Sequence, residues 1–133
     1  MKEYCEAMRL ERWPRSLAIF MGSSAFFFLY RDYFAQYSIL DLLLLSCAAF
    51  LLTWGISTAN YIINEIADAP YDIHHPTKKN RPFVKGQIKN TPFLVIGALL
   101  VFISLTAAFL LFSRPFLYSL LALLIAGFIY NIR

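Results

Sequence analysis

A charge-free run from Leu42 to Asn64, LLLLSCAAFLLTWGISTANYIIN, ends in the acidic stretch EIADAPYD at residues 65–72. The run is long enough to cross the hydrocarbon core of a bilayer, which takes about 17–25 apolar residues. Carboxylates at the end of such a segment are costly unless they bind a metal or pair with charge. Asn64, Asp68 and Asp72 follow one another at intervals of four, which on a helix places them on one face. The stretch therefore predicts a functional site at a membrane boundary.

Three further charge-free runs predict an all-α membrane protein with four transmembrane helices. The chain is 59% hydrophobic, well above the composition of a soluble domain. Two runs are long enough to span a bilayer, and a shorter one near the N-terminus is extended by snorkelling of its flanking arginines. Because Pro70 lacks a backbone donor, the second helix is expected to end near Asp68. The expected helices cover about residues 15–31, 40–68, 91–113 and 115–132, with a motif loop at 69–90.

The distribution of basic residues predicts the orientation of this multi-pass protein. Of the 12 lysines and arginines, only Arg31 and Arg114 lie in the connections after the first and third helices. The others lie in the N-terminal segment, in the loop at 69–90 or at the last residue. Under the positive-inside rule, both termini and the motif loop are cytoplasmic. This bias explains the net charge of +4 without a nucleic-acid partner.

The acidic stretch and the basic loop after it together predict a site for a metal-bound diphosphate. Carboxylate and carboxamide oxygens are ligands that Mg²⁺ prefers, and Mg²⁺ usually shares its shell with waters and substrate phosphates. Lysine and arginine side chains in the loop bind phosphate oxygens, arginine in a bidentate fork. A metal–diphosphate complex therefore satisfies the acidic and the basic group at once. The basic residues concerned are Lys78, Lys79 and Arg81.

Simpler interpretations of the same residues remain open. The carboxylates and the basic loop form an interfacial ion-pair network if Lys79 or Arg81 binds them directly. Asn60 either lines the same cavity as Asn64 or makes an interhelical hydrogen bond, which is common for asparagine in membranes. His75 either contacts a substrate or has a structural role in the loop.

These residues resemble the UbiA superfamily of intramembrane prenyltransferases. The first aspartate-rich motif of that family has the form N-D-x-x-D-x-x-x-D, followed by a basic loop that ends in R-P and a Gly. Glu65 replaces the first Asp here, and the other motif positions match at Asn64, Asp68 and Asp72. The loop matches at Asn80-Arg81-Pro82 and Gly86. The resemblance covers all four expected helices across residues 1–133.

The resemblance implies the N-terminal half of a UbiA-like helical bundle, because such proteins have further helices and a second aspartate-rich motif. The implied activity is Mg²⁺-dependent transfer of a polyprenyl group from its diphosphate to an acceptor. The implied partners are the membrane, a polyprenyl diphosphate or polyprenyl phosphate lipid, and the C-terminal half of the intact protein. The resemblance implies that the metal is bound by Asn64, Asp68 and Asp72, of which Asp68 and Asp72 are catalytic. It implies that the diphosphate is bound by Lys78, Lys79 and Arg81. The implied role of support for the site or contact with the substrate falls to Asn60, Glu65 and His75.

Two alternative functions follow from the same residues. The continuation Asp72-Ile73-His74-His75-Pro76-Thr77-Lys78 is similar to the decaprenyl-phosphate phosphoribosyltransferase branch of the superfamily. That branch implies transfer of ribose phosphate from phosphoribosyl diphosphate to a polyprenyl phosphate. The other alternative is a non-catalytic membrane fragment that binds lipid or depends on a partner.

Overall fold

The computed structural model describes residues 2–131, apart from the side chain of Arg15, and this part of the chain is all helical. The predicted helix end at Ile132 and the terminal Arg133 lie outside the described residues. The elements are α1 (Lys2–Ala7), a 3-10 helix (Leu10–Leu17), α2 (Ala18–Leu29), α3 (Arg31–Phe34), α4 (Ile39–Asp72), a short 3-10 turn (Lys78–Asn80), α5 (Asn90–Leu111) and α6 (Arg114–Asn131).

Three of these helices, α4, α5 and α6, are long and apolar enough to cross a membrane. They lie where the charge-free runs placed the second, third and fourth helices, so the all-helical class is confirmed. The first predicted span is divided between the 3-10 helix and the 12-residue α2. α2 alone rises about 18 Å, which is less than the roughly 30 Å of a hydrocarbon core. A fourth crossing therefore stays a prediction.

α4 is the central element, because α1, the 3-10 helix, α2, α5 and α6 all contact it. A capping box starts the helix: Ser38 Oγ accepts from the Asp41 N–H at 3.1 Å, and Asp41 Oδ2 accepts from the Ser38 N–H at 3.2 Å. Two buried apolar clusters lie along α4. The first comprises Ala7, Ile62, Phe83, Ile88 and Phe93, and the second comprises Ile56, Ala108 and Leu120.

The end of α4 differs from the prediction. Pro70 lies inside the last turns, and the helix continues to Asp72 instead of ending near Asp68. Glu65 and Asp72 are both buried, and the guanidinium of Arg81 contacts both carboxylates. These ion pairs connect Asp72 with Glu65, two turns earlier on the helix, across the proline. They hold the last turn in place although residue 70 donates no backbone hydrogen bond.

Candidate functional site

A polar cavity of about 470 Å³ opens beside the C-terminal part of α4. The N-terminal segment, the loop after α4 and the end of α6 form its other walls. Among the described residues, its lining has four cationic side chains and one carboxylate, that of Asp68, so the cavity suits an anionic ligand. The lining residues are Arg9, Arg12, Asn60, Tyr61, Asn64, Asp68, Lys78, Arg81, Gly127, Tyr130 and Asn131.

Asn64 and Asp68 lie one turn apart on the face of α4 that borders this cavity. Asn64 Nδ2 donates a hydrogen bond to Asp68 Oδ2 at 3.0 Å. The sequence spacing predicted that these two side chains share a face, and the contact confirms it. The hydrogen bond holds a carboxylate and a carboxamide together, and both groups carry oxygen atoms that can bind a cation.

The oxygen atoms of Asn64 and Asp68 suit Mg²⁺ better than they suit a metal that protein ligands surround completely. Within residues 2–131, no group of three His, Cys, Asp or Glu side chains is arranged to hold a metal ion. Mg²⁺ does not require such a group, because it keeps several waters and binds one or two carboxylates together with substrate phosphates. Asp68, with Asn64 beside it and four cations around the same cavity, is the donor set expected for a metal–phosphate complex.

Glu65 is buried in an ion pair with the N-terminal segment. Its side chain is 2% exposed, and its Oε1 accepts from Arg9 Nε at 2.8 Å and also from Arg9 Nη2. Arg9 adopts a left-handed backbone conformation with φ of 52° at the start of the 3-10 helix. That conformation costs an L-residue about 1 kcal/mol. The charge-assisted hydrogen bonds to Glu65 offset this cost and fix the N-terminal segment against α4.

Asp72 is buried in a second set of ion pairs. Its Oδ2 accepts from Arg81 Nη1 at 2.6 Å, and its Oδ1 lies 3.3 Å from Lys78 Nζ. Arg81 Nη1 also lies 3.4 Å from Glu65 Oε1, so one guanidinium contacts both buried carboxylates. The interpretation as an ion-pair network thus describes the surroundings of Glu65 and Asp72, while Asn64 and Asp68 border the cavity.

Helix geometry explains why Asp72 lies apart from the other two motif residues. With 3.6 residues per turn, each step of four residues rotates the side chain by about 40°. Two such steps rotate Asp72 by about 80° from Asn64 and bring it within about 20° of Glu65. The interval of four is therefore close enough to align Asn64 with Asp68, but not to align all three.

The basic residues of the loop are also divided. Lys78 and Arg81 line the polar cavity. Lys79 is exposed and is not among the described residues of the cavity wall. The structure thus brings together Asn64, Asp68, Lys78 and Arg81 around one space, with Asp72 behind the two cations.

Arg9 and Arg12 are cavity residues that the sequence reasoning missed. The Arg12 guanidinium carbon lies 5.5 Å from the centre of the Tyr61 ring, a cation–π contact that fixes the side chain without neutralising its charge. Both arginines belong to the basic N-terminal segment from which the orientation is predicted. No spacing pattern in the sequence could have identified them, because Arg9 precedes the 3-10 helix and has a left-handed backbone conformation.

Asn60 has both of the roles that the sequence left open. Its Nδ2 donates to the Leu123 carbonyl oxygen of α6 at 3.0 Å, and the residue also lines the polar cavity. Its Oδ1 is buried without a hydrogen-bond partner among the described residues. A Cβ atom added at Gly127 would collide with the Asn60 carboxamide, so the glycine is what allows α6 to approach α4 here.

His75 contacts the loop rather than the cavity. Its Nδ1 lies 3.3 Å from the backbone nitrogens of Thr77 and Lys78 and 3.2 Å from Thr77 Oγ1. The ring is exposed and is not among the described residues that line the polar cavity. His74, next to it, is also exposed.

A second cavity, of about 660 Å³, lies between α4, α5 and α6. Its wall is almost entirely apolar, and among the described lining residues only Thr106 has a polar side chain. Neighbouring residues of α4 and α6 face the two cavities: Ala59 and Phe128 line this one, whereas Asn60 and Gly127 line the polar one. A cation-lined cavity and an apolar cavity thus flank the same helix.

A model of the UbiA prenyltransferase family matches residues 15–133. The chain therefore belongs to the UbiA prenyltransferase family, and the resemblance inferred from the motif is confirmed. Membership, together with the three long apolar helices, identifies a multi-pass integral membrane protein of a prenyltransferase family. The comparison with curated proteins gives no match for this chain. The family match begins at Arg15, so Arg9 and Arg12 reach the polar cavity from a segment upstream of it.

Proposed function

We propose that this protein is a Mg²⁺-dependent membrane transferase that moves a polyprenyl group from its diphosphate to an acceptor. The observation that carries the proposal is the pair of cavities on α4, one rich in cations and one apolar. A polyprenyl diphosphate has an anionic head and a hydrocarbon tail, so it needs both environments next to each other. Family membership supports the same class of reaction.

The length of α4 supports a site at the depth of lipid head groups. Its 34 residues rise about 50 Å, whereas a hydrocarbon core is about 30 Å thick. If the charged Asp41 marks one boundary, the core ends about 20 residues further on, near Tyr61. Asn64 and Asp68 then lie just outside it, where the phosphates of a lipid substrate are found.

The cavity residues act on the bond between the prenyl carbon and the diphosphate oxygen. As this bond breaks, negative charge grows on the diphosphate and an allylic cation forms at the carbon. Arg12, Lys78 and Arg81 bind the diphosphate oxygens and stabilise that charge. When bound at Asn64 and Asp68, Mg²⁺ would supply further charge neutralisation as a Lewis acid. The acceptor then forms a bond to the cationic carbon and releases a proton.

Asp72, the predicted third metal ligand, takes part in the proposed reaction through its ion pairs with Lys78 and Arg81. Lys78 and Arg81 form ion pairs with Asp72, which acts as an internal anion. A diphosphate competes with Asp72 for these cations. Because a buried carboxylate left without a partner is costly, Asp72 then needs a new cation, and bound Mg²⁺ would supply it. Glu65 keeps its pair with Arg9 and supports Arg81 from behind.

A second candidate function, phosphoribosyl transfer to a polyprenyl phosphate, is favoured by Arg12. Arg9, Lys78 and Arg81 each bind a buried carboxylate, whereas Arg12 makes no ion pair with a described carboxylate. Phosphoribosyl diphosphate has a phosphate in addition to its diphosphate, and Arg12 supplies a cation for it. Breaking its C–O bond gives an oxocarbenium-like centre, so the same diphosphate site serves this reaction.

We also propose that the N-terminal segment completes a fourth crossing and that the polar cavity is cytoplasmic. From Trp13 to Leu29, five residues of 3-10 helix and 12 of α-helix rise about 28 Å, close to the thickness of the core. The positive-inside bias supports the orientation. In the intact protein, the second aspartate-rich motif implied by the family resemblance would provide the remaining metal ligands.

The two reactions are distinguished by donor. The intact protein in lipid nanodiscs is incubated with radiolabelled prenyl diphosphate and a mixture of aromatic acceptors, or with radiolabelled phosphoribosyl diphosphate and polyprenyl phosphate. Mg²⁺-dependent label transfer from the first donor supports prenyl transfer, and transfer from the second supports the phosphoribosyl reaction. EDTA should abolish either one. Binding of lipid without transfer from either donor would contradict both and support a non-catalytic protein.

A further inference from the structure

We propose that His75 is a positioning residue: its ring caps the turn that carries Lys78 and Arg81, and it does not touch the substrate. This inference rests on the proposed diphosphate site, because it assigns the residue that places the two cations of that site. The turn is defined here as residues 75–81.

The hydrogen bonds of the ring define the cap. His75 Nδ1 lies 3.3 Å from the N–H groups of both Thr77 and Lys78. A backbone N–H only donates, so Nδ1 is the acceptor and carries no proton. The ring proton therefore lies on Nε2, and the Thr77 hydroxyl lies 3.2 Å from Nδ1. The lone pair of Nδ1 is thus shared by the two N–H groups at the start of the turn.

The pattern is that of a helix N-cap, with imidazole in place of the usual oxygen. An N-cap side chain accepts from the N–H groups two and three residues further on, and Ser, Thr, Asp or Asn normally provides the acceptor. Thr77 and Lys78 are the second and third residues after His75. Pro76, between them, has a fixed φ and no N–H of its own to satisfy. The sequence His-Pro-Thr-Lys therefore builds a capped turn.

The capped turn determines where the two cations lie. Within it, Lys79 N–H donates to the His75 carbonyl at 3.3 Å, and Arg81 N–H donates to the Lys78 carbonyl at 3.0 Å. These bonds place residues 78 and 81 three positions apart on one side of a 3-10 turn. Both side chains then reach Asp72 and the polar cavity. Without the cap, the turn has more conformations, and a diphosphate must order it on binding.

The test compares His75→Ala, which removes the acceptor, with His75→Asn, which keeps one at a similar distance along the side chain. The control is His74→Ala, at the adjacent exposed histidine. Affinity for inorganic diphosphate in the presence of Mg²⁺ is measured by calorimetry on the intact protein in nanodiscs. We expect about fivefold weaker binding in His75→Ala, the size of effect that loss of a side-chain cap has, recovery in His75→Asn, and no change in His74→Ala. Thermal unfolding of each variant confirms that it is folded.

Two results would overturn the inference. Unchanged binding in His75→Ala shows that the cap does not position the cations, and equal weakening in His75→Ala and His75→Asn shows that the imidazole itself is required, as for direct substrate contact. A ¹⁵N NMR spectrum of the histidine ring at neutral pH gives an independent result: a proton on Nε2 is expected, and a proton on Nδ1 contradicts the cap. If the wild-type protein binds no diphosphate, the proposed function fails, whereas the NMR result for the cap still stands.

Discussion

Arg81 Nη1 donates to Asp72 Oδ2 at 2.6 Å, and this contact joins the basic loop to the acidic end of α4. The two side chains are 23% and 6% exposed, so water screens their attraction little. The same guanidinium also contacts Glu65, two turns earlier on α4. One residue predicted to bind a metal, Asp72, therefore pairs with a residue predicted to bind phosphate, Arg81.

Removing one partner of this pair should destabilise the protein. We expect Arg81→Met to lower the free energy of unfolding by about 3 kcal/mol, because Asp72 loses its shorter ion pair and remains buried. Adding Asp72→Asn to the same chain should restore part of the loss, since the uncompensated charge is then gone. Thermal or denaturant unfolding in detergent measures the stability of both variants. Additive losses in the double variant would show that the two side chains do not depend on each other.

The carboxylate of Asp68 should be required for Mg²⁺-dependent activity but not for folding. Asp68→Asn keeps the size of the side chain and removes the charge that binds the metal, so transfer should fall by at least about 100-fold while the unfolding temperature changes little. Initial rates over a range of Mg²⁺ concentrations measure the effect. Asp32→Asn is the matched control, because the Asp32 side chain is 98% exposed and lies outside the polar cavity. Full activity in Asp68→Asn would remove this residue from the site.

Arg12 should distinguish between the two candidate donors. Arg12→Gln is expected to raise KM for either diphosphate donor, because one charge-assisted hydrogen bond, about 1.5–3 kcal/mol, is lost. The increase should be larger for phosphoribosyl diphosphate if Arg12 binds its additional phosphate. Arg31→Gln, at an 81% exposed side chain that does not line the cavity, controls for the change in net charge. Unchanged KM values in Arg12→Gln would assign Arg12 a purely structural role.

The close approach of α6 to α4 should depend on Gly127. Gly127→Ala is expected to destabilise the protein by about 1–3 kcal/mol, because the new methyl group collides with the Asn60 carboxamide. Gly22→Ala is the matched control, since a Cβ there meets nothing within 4 Å and alanine is the better helix former. Unfolding in detergent compares the stabilities of the Gly127→Ala and Gly22→Ala variants. Equal stability of both variants would mean that α6 can move away from α4 without cost.

Much of the fold follows from the positions of charges along the chain. The charge-free runs located α4, α5 and α6, because a long apolar helix needs only local hydrogen bonds and a hydrocarbon environment. The first span was less predictable, since its arginines and Pro14 fall in a 3-10 helix whose course depends on contacts with α4. The continuation of α4 past Pro70 was not predictable either, because it depends on the ion pairs that Arg81 of the following loop makes with Glu65 and Asp72.

The sequence alone determined the three long helices, the motif that identifies the family, and the shared face of Asn64 and Asp68. These features depend on spacing within one helix or on composition, both of which can be read without knowing the contacts between helices. Only the tertiary structure decided that Glu65 pairs with Arg9, that Asp72 pairs with Arg81, and that Arg12 reaches the cavity. Ion pairs form according to distance in space and burial, and neither quantity is contained in the order of residues along the chain.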